Sequence, residues 1–281
     1  FYKSQFVSVG SATNELLPNS VTAILQVCIM ILNRIKDKCI NYSRYLSGYN
    51  KLLEKLNQLA EYNLNFERFT RVENINLYNQ IAEHNSLVHF LNPRLPLPQL
   101  RGSVISPDYA NKLVWEIMVN KPKNIMECGS GTSTIIASYC LEKLGGGHII
   151  SLDDGIQYAK RTRGYLTKHN LERFSSVYHT PLIDYPDAEF KTPWYDLSVI
   201  PELPKIDMLI IDGPVYKIDA EVRFPALPLL IEYLSDTAII ILDDAARIGE
   251  KAVVKKWLSL YSHFEYEYYH FEKGAVILRC K

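Results

Sequence analysis

The first part of the chain carries apolar and small residues that recur at alternating steps of four and three positions. A repeat of this length predicts a helix that packs along a narrow seam against another helix. The segment 63–91 is again helical in pattern, which would allow it to fold back as a hairpin. Two cysteines, two tyrosines and Gly48 make the repeat irregular, so it leaves open whether the seam is filled within the chain or by a second copy in a homodimer. Its positions are Val21, Leu25, Cys28, Leu32, Ile35, Cys39, Tyr42, Leu46, Tyr49, Leu53, Leu56 and Ala60.

A proline-rich stretch follows this helical segment. Residues 91–100 contain three prolines within six positions, and proline disfavours helix while favouring an extended connector. We therefore place a domain boundary here, between a helical N-terminal segment at 1–92 and a second domain at 101–281. Early in the second domain, Ser106 and Pro107 are the residue types expected at the start of a helix.

Beyond position 123, short apolar runs alternate with amphipathic stretches. The runs at 124–128, 148–152, 175–179, 206–211 and 237–242 are apolar almost throughout, as expected of strands buried on both faces. Their alternation with helices predicts a parallel sheet with crossover helices. The last two runs, 264–270 and 275–279, are joined too tightly to be parallel. The predicted fold class is therefore α/β, with a mostly parallel sheet that ends in an antiparallel hairpin and a helical segment in front of it.

Composition narrows the classes of partner. Lys+Arg and Asp+Glu are equal at 31 each, so no net charge attracts nucleic acid or an anionic membrane surface. The longest strongly apolar stretch, 21–32, is much shorter than the roughly 20 residues that span a bilayer, so no membrane span is expected. The five cysteines lack CxxC spacing, which favours a reducing, cytoplasmic setting. The start at Phe1 rather than Met leaves room for a native N-terminal segment that this sequence lacks.

A glycine turn follows the first predicted strand. Gly129 and Gly131 lie between this strand and the next helix, where ligands bind outside the carboxyl ends of parallel strands. A dinucleotide fingerprint requires a third glycine, and this sequence has Thr134 in that place. Glu127, two residues before the first glycine, would repel a pyrophosphate but suits a ligand with an ammonium and a sulfonium. A glycine turn that only makes a tight connection is the alternative interpretation.

Two acids follow the second predicted strand. Asp153 and Asp154 come directly after it, at the place where a ribose offers its two hydroxyls to a carboxylate. Asp153 is the preferred ribose ligand, although an aspartate at a strand end is often only a helix cap.

The run 101–279 resembles class I S-adenosylmethionine-dependent methyltransferases, which have a Rossmann-like fold. The resemblance rests on ECGSGTST after the first strand, SLDD after the second, LIIDGP after the fourth and IILDDA after the fifth. It implies that Glu127 orients the amino-acid part of S-adenosylmethionine and that Asp153 holds its ribose. The expected cofactor-binding residues are Glu127, Gly129, Ser130, Gly131, Thr132, Ser133, Asp153 and Asp154.

Three further aspartates predict a metal site. Asp212 ends the fourth predicted strand, and Asp243 and Asp244 end the fifth, so their carboxylates should meet at the edge that carries the glycine turn. They repel one another unless they are protonated, paired or bound to a metal, and Mg²⁺ takes oxygen ligands. The arrangement is similar to catechol-type O-methyltransferases, in which an aspartate and an Asp-Asn pair hold Mg²⁺. The alternative is that Asp243 and Asp244 cap the next helix or pair with Arg223 and Arg247.

The candidates for the catalytic group are Asp212, Lys217 and His179. A metal at Asp212 would chelate an acceptor hydroxyl and lower its pKa. The resemblance implies a lysine base shortly after the first metal aspartate, and the nearest here is Lys217. His179, at the end of the third strand, is either a general base or a structural residue. Trp194 and Tyr195 either offer aromatic surface to an acceptor or pack in the core.

The predicted function is transfer of the methyl group of S-adenosylmethionine to a hydroxyl on a small molecule or a glycan, with Mg²⁺ as a potential second cofactor. A NAD-dependent oxidoreductase on the same kind of sheet is the first alternative, and Thr134 and Glu127 argue against it. A non-enzymatic scaffold is the second alternative, and it would bind no cofactor.

Overall fold

The structure, a computed structural model, describes residues 20–38, 43–186, 188, 190–215 and 217–281. Two compact units, 1–75 and 76–281, make up the chain, and each is described by itself. The chain start at Phe1 and the seam positions Cys39 and Tyr42 lie outside the described residues. Among the residues that are described, none belongs to a helix long and apolar enough to cross a membrane.

Two helices form the N-terminal part of the chain, α1 at Ser20–Lys38 and α2 at Ser43–Leu91. The hairpin that the sequence would allow after position 60 does not form, because α2 continues through it. No glycine or proline occurs from 49 to 91 to end the helix. Half-buried positions of α2 within the first unit recur at steps of four and three, as a heptad repeat requires. They are Tyr49, Leu53, Leu56, Ala60, Asn63 and Glu67.

In the second unit, the last turns of α2 belong to the core. Leu87 and Leu91 are fully buried there, and the proline-rich residues that follow have irregular structure. The compact units divide between Ile75 and Asn76, inside α2, whereas the domain limits at 92 and 101 stay a prediction.

Seven strands form the main sheet, in the order β3-β2-β1-β6-β7-β9-β8. The first five of these pair in parallel, and β9 pairs antiparallel with both of its neighbours. The strands are β1 Asn124–Cys128, β2 His148–Asp153, β3 Ser175–His179, β6 Ile206–Ile211, β7 Leu234–Asp243, β8 Phe264–Tyr269 and β9 Ala275–Cys280. The helices of this unit are α3 Pro107–Asn120, α4 Thr132–Leu144, α5 Ile156–Lys168, α6 Ala226–Leu230 and α7 Ile248–Leu260.

Neighbouring residues of one strand belong to different cores. In β7, Ile239 and Ile241 pack with α3, α4 and α5, while Ile240 and Leu242 pack with α6 and α7. Alternate side chains of a strand point to opposite faces, so both faces of the sheet are covered. Because helices cover both faces, the loops at the carboxyl ends of the parallel strands are the part of the sheet where a site can form.

The seven predicted strands are confirmed, with ends that differ by at most three residues. A small antiparallel pair, β4 Leu182–Ile183 and β5 Trp194–Tyr195, was not predicted, because two-residue strands give no periodic signal. Trp194 and Tyr195 are both fully buried, so they are core residues and not the aromatic surface for an acceptor that was considered for them.

Candidate functional site

The loops after β1 and β6 touch at two glycines. Gly129 has φ +97°, in the left-handed region that favours glycine, and its N–H donates to the Leu152 carbonyl at 2.9 Å. A Cβ atom added to Gly129 would lie 3.0 Å from the Gly213 backbone nitrogen. Only glycine therefore allows this approach, which brings the glycine turn next to Asp212.

Glu127 is fully buried beneath the glycine turn. Its Oε2 accepts hydrogen bonds from Thr134 Oγ1 and Ser151 Oγ, both at 2.5 Å. Its Oε1 is buried and has no hydrogen-bond partner among the described residues. Burial raises the pKa of Glu127 to about 7, while bonds from Ser133, Ser151 and Thr134 act in the opposite direction. A cationic group placed beside Oε1 would favour the ionised form and fill the missing contact.

Thr134, in the place of the third glycine of a dinucleotide fingerprint, has a structural task. Its hydroxyl accepts the Gly131 N–H at 3.0 Å and donates to Glu127. The side chain thus links the start of α4 to the buried carboxylate, which a glycine cannot do.

Asp153, at the end of β2, is held by the same turn. Its Oδ2 accepts from Ser130 Oγ at 2.6 Å, and its Oδ1 accepts from the Gly155 N–H at 2.9 Å. Burial raises the pKa of Asp153, against the effect of these two bonds. Asp153 therefore faces Ser130 at the mouth of the turn, and its predicted contact with the ribose stays a prediction.

The other predicted cofactor residues lie around this turn. Thr132 and Ser133 are buried at the start of α4, and Thr132 Oγ1 donates to the Gln99 carbonyl at 3.2 Å. Asp154 is half-buried, and its carbonyl lies 3.2 Å from Nε2 of His179. His179 is thus anchored to the end of β2, on the side of the edge that carries Asp153.

The predicted aspartate cluster exists. One carboxylate oxygen from each of Asp212, Asp243 and Asp244 lies within 4.8 Å of the others. Burial raises the pKa of Asp212 to about 8, with a further contribution from Asp243 and opposition from Arg223. The three acids are therefore close enough to need compensating positive charge.

A buried arginine supplies part of that charge. Arg223 is 3% exposed, and its Nη2 lies 2.9 Å from Asp244 Oδ2 and 3.2 Å from Asp212 Oδ1. It also donates to the carbonyls of Asp212 and Asp243, at 2.8 and 2.9 Å. Asp244 pairs with Arg247 as well, at 2.8 Å. These contacts match the ion pairs that were the alternative to a metal site.

A lysine from the β8–β9 turn supplies further positive charge to the aspartate cluster. Lys273 Nζ lies 3.2 Å from Asp243 Oδ2 and 3.4 Å from Asp244 Oδ1. Burial lowers the pKa of Lys273, but the negative charges of Asp243, Asp212 and Asp244 outweigh this effect and raise it. The cluster thus already has internal cations, and its residues do not fit a divalent ion as they stand.

Lys217, the predicted base, is exposed after β6, and no contact places it at the cluster. Sequence reasoning missed Lys273 instead. A signal was available, because the turn of a hairpin that runs antiparallel to β7 must return to the edge where Asp243 and Asp244 lie.

Tyr109 of α3 is a second residue that sequence reasoning missed. It is 1% exposed, and its hydroxyl has no hydrogen-bond partner among the described residues. Burial raises its pKa well above the usual value, and the charges of Asp243, Asp212 and Glu127 add to this rise. The hydroxyl is therefore a buried polar group without a partner among the described residues, within electrostatic range of these three carboxylates.

Comparisons with known proteins agree on the fold and the domain. Residues 126–245 match the model of a family described as a methyltransferase domain, whereas the search of curated proteins finds no match. An O-methyltransferase from Bacillus cereus in complex with SAH is 15% identical, with a TM-score of 0.52 over 74% of this chain and 97% of that one. An SAH-bound methyltransferase from Podospora anserina is 16% identical, with a TM-score of 0.50 over 77% and 97% of the two chains. The O-methyltransferase TomG from Streptomyces achromogenes, in complex with SAM, is 10% identical, with a TM-score of 0.50 over 74% and 96%.

Proposed function

We propose that the protein is an S-adenosylmethionine-dependent methyltransferase that methylates a hydroxyl group of a small molecule or a glycan, because residues 126–245 match a family model described as a methyltransferase domain and the fold is shared with an O-methyltransferase in complex with SAH. The observation that carries the donor site is the unpartnered, buried Oε1 of Glu127. An isolated ionised carboxylate is costly to bury, and the ammonium of the donor's amino-acid part would offset that cost.

The donor is proposed to lie along the edge from Glu127 to Asp153. Glu127 pairs with the ammonium, and Asp153 accepts the two ribose hydroxyls, with Ser130 moving aside or sharing the bond. The close contact of Gly129 with Gly213 brings the loops after β1 and β6 together, so that the two ends of this edge lie side by side. The sulfonium would then point towards Asp212.

Hydroxyl methylation is supported by the chemistry of the Asp212 end of the edge. A sulfonium methyl needs a nucleophile in line with the C–S bond, and positioning the two is the main contribution of the protein. A carboxylate beside the methyl group can accept the hydrogen bond of an acceptor hydroxyl. The names of the Bacillus cereus and Streptomyces achromogenes proteins, both O-methyltransferases, are consistent with this chemistry.

Magnesium, the second predicted cofactor, is left out of the proposed reaction. The ammonium of Lys273 and the guanidinium of Arg223 already contact the oxygens that such an ion would need. Lys217 and His179 stay untested as bases, and the cytoplasmic location also stays a prediction.

The donor site can be tested by calorimetry with S-adenosylhomocysteine. We expect the wild type to bind, Glu127→Gln and Asp153→Asn to bind far more weakly, and the exposed control Glu265→Gln to bind like the wild type. Methyl transfer from labelled donor to a panel of phenols, catechols and sugars then identifies the acceptor. Absence of heat with both donor and product on folded protein would refute the proposal.

We further propose that the N-terminal helices pair two copies of the chain. The support is the line of half-buried positions at heptad spacing in α2, together with exposed Leu59, Tyr62, Phe66 and Phe69 beside it. Such apolar surface is usually covered in solution. Light scattering should give twice the chain mass, and Leu53→Asp with Leu56→Asp should give monomers; a monomeric wild type would contradict the proposal.

A further inference from the structure

Lys273 and a divalent cation would compete for the same two oxygen atoms. The ammonium nitrogen lies 3.2 Å from Asp243 Oδ2 and 3.4 Å from Asp244 Oδ1. A magnesium ion binds such oxygens at about 2.0–2.1 Å, so an ion shared by these atoms would lie within a few ångström of the ammonium. Two like charges at that separation repel strongly in a buried site. Either the lysine or the ion can occupy the position, but not both.

The backbone fixes Lys273 in this position. Its carbonyl accepts the Ala246 N–H at 3.1 Å, and the next carbonyl, of Gly274, accepts the Ala245 N–H at 3.0 Å. On the other side of the turn, the Glu272 N–H donates to Asp108 Oδ2 at 2.9 Å. The same carboxylate oxygen accepts from Gln80 Nε2 at 2.7 Å. The turn is therefore held at both ends, and the lysine is not a mobile surface residue.

Exposure separates the cluster into an inner and an outer part. The side chains of Asp243, Asp244 and Arg223 are 1%, 4% and 3% exposed, whereas those of Asp212 and Lys273 are 21% and 19% exposed. An acceptor that approaches from solvent thus meets one carboxylate and one ammonium. The inner groups have no free access, and their task is to hold the outer two in place.

We propose that Lys273 is a built-in replacement for a divalent cation and that it contacts the acceptor oxygen. This inference rests on the proposed function. The acceptor hydroxyl donates a hydrogen bond to Asp212 and accepts one from the Lys273 ammonium. During transfer the O–H bond breaks and its proton passes along the hydrogen bond to Asp212, which then releases it to solvent, while a new O–C bond forms to the methyl carbon. The C–S bond breaks at the same time, its electron pair returns to sulfur, and the sulfonium becomes a neutral thioether. Lys273 stays protonated and stabilises the negative charge on the oxygen.

Manganese binding, followed by electron paramagnetic resonance, tests the cation part without any need for activity. We expect no saturable binding by the wild type below about 1 mM Mn²⁺. Lys273→Met removes the ammonium from the carboxylate oxygens and should bind Mn²⁺ at least about tenfold more tightly than the wild type. The double variant Lys273→Met with Asp243→Asn should lose this gain in affinity. The exposed control Lys255→Met should behave like the wild type. Thermal melting shows whether each variant is folded.

Saturable Mn²⁺ binding by the wild type that Asp243→Asn abolishes would overturn the inference. A folded Lys273→Met variant that gains no binding would overturn it too. If that variant does not fold, the wild-type titration decides, and Lys273→Arg should again exclude the ion. Transfer should persist in EDTA and fall at least about tenfold in Lys273→Met with little change in donor affinity. A failed donor titration refutes the proposed function, whereas a failed Mn²⁺ titration refutes only the inference.

Discussion

The two ends of the sheet edge bury carboxylates in different ways. At the donor end, the contacts of Glu127 and Asp153 come from neutral hydroxyl and N–H groups. At the acceptor end, Asp212, Asp243 and Asp244 are paired with Arg223, Lys273 and Arg247. In the proposed function, Glu127 receives the ammonium of the donor and Asp153 its neutral ribose hydroxyls, so this end relies on groups that arrive with the ligand. A carboxylate with an internal cation is part of the protein's own structure and does not need one from a ligand.

Removal of the buried cation Arg223 should have the largest effect on the free energy of unfolding. Arg223→Met leaves Asp212 and Asp244 without their buried partner, and breaking a buried ion pair in this way costs about 3–5 kcal/mol. Urea denaturation at pH 8 measures the loss in the free energy of unfolding. The exposed control Lys160→Met should change it by less than about 0.5 kcal/mol. If the Arg223→Met protein is as stable as the wild type, the carboxylates at the Asp212 end do not depend on an internal cation, and the proposed difference between the two ends is wrong.

Removal of a carboxylate at the proposed donor end should increase the free energy of unfolding instead of lowering it. Glu127→Gln removes a buried group that is costly to ionise, so the ligand-free protein should gain about 1 kcal/mol or more of stability at pH 8. The same variant should lose about 2 kcal/mol or more of S-adenosylhomocysteine binding. Denaturation and calorimetry on one preparation give both values. A variant that loses stability and keeps its affinity would contradict the comparison.

The pH dependence of S-adenosylhomocysteine binding is a further test of the difference between the two ends of the sheet edge. Burial raises the pKa of Glu127 to about 7 in the folded protein, from an ordinary value of 4.5. This group therefore stabilises the ligand-free protein below pH 4.5, and that contribution is lost as the pH rises through 7. Because the donor's ammonium favours the ionised carboxylate, affinity for S-adenosylhomocysteine should rise about tenfold per pH unit below 7 and level off above 8. Glu127→Gln should show no such rise, and a flat wild-type profile would refute the assignment.

The smallest expected effect concerns the unpaired hydroxyl of Tyr109. Tyr109→Phe removes a buried donor without a partner among the described residues, so the free energy of unfolding should stay the same or rise by up to about 1 kcal/mol. If the hydroxyl serves a ligand between the two ends, binding of donor or acceptor should weaken by about 2–10-fold. Calorimetry and melting curves separate the two results. A clear loss of stability would mean that the hydroxyl is structural.

Features carried by local pattern could be predicted from the sequence. The strands are buried on both faces, so runs such as 206–211 are apolar throughout, and the structure has β6 at the same residues. Glu127, Asp153 and the aspartate cluster follow from the rule that carboxyl ends of parallel strands meet at one edge. Their positions could thus be found without knowledge of any side-chain contact.

Features set by distant contacts could not be predicted in this way. Part of the positive charge at the aspartate cluster comes from Lys273, about thirty residues after Asp243 in the chain. Lys217 is closer to Asp212 in sequence, but it is exposed and has no contact with the cluster among the described residues. The continuity of α2 was missed for a related reason, because a helical pattern gives the direction of a face but not the end of the helix.

Asp108 makes the end of α2 and the lysine turn depend on each other. One carboxylate oxygen accepts hydrogen bonds from both Gln80 and the backbone of Glu272, so neither donor can shift alone without losing its bond. A rotation of residues 76–91 would therefore break the bond from Gln80 and leave Asp108 with one anchor fewer, while the same oxygen still holds the backbone of the lysine turn.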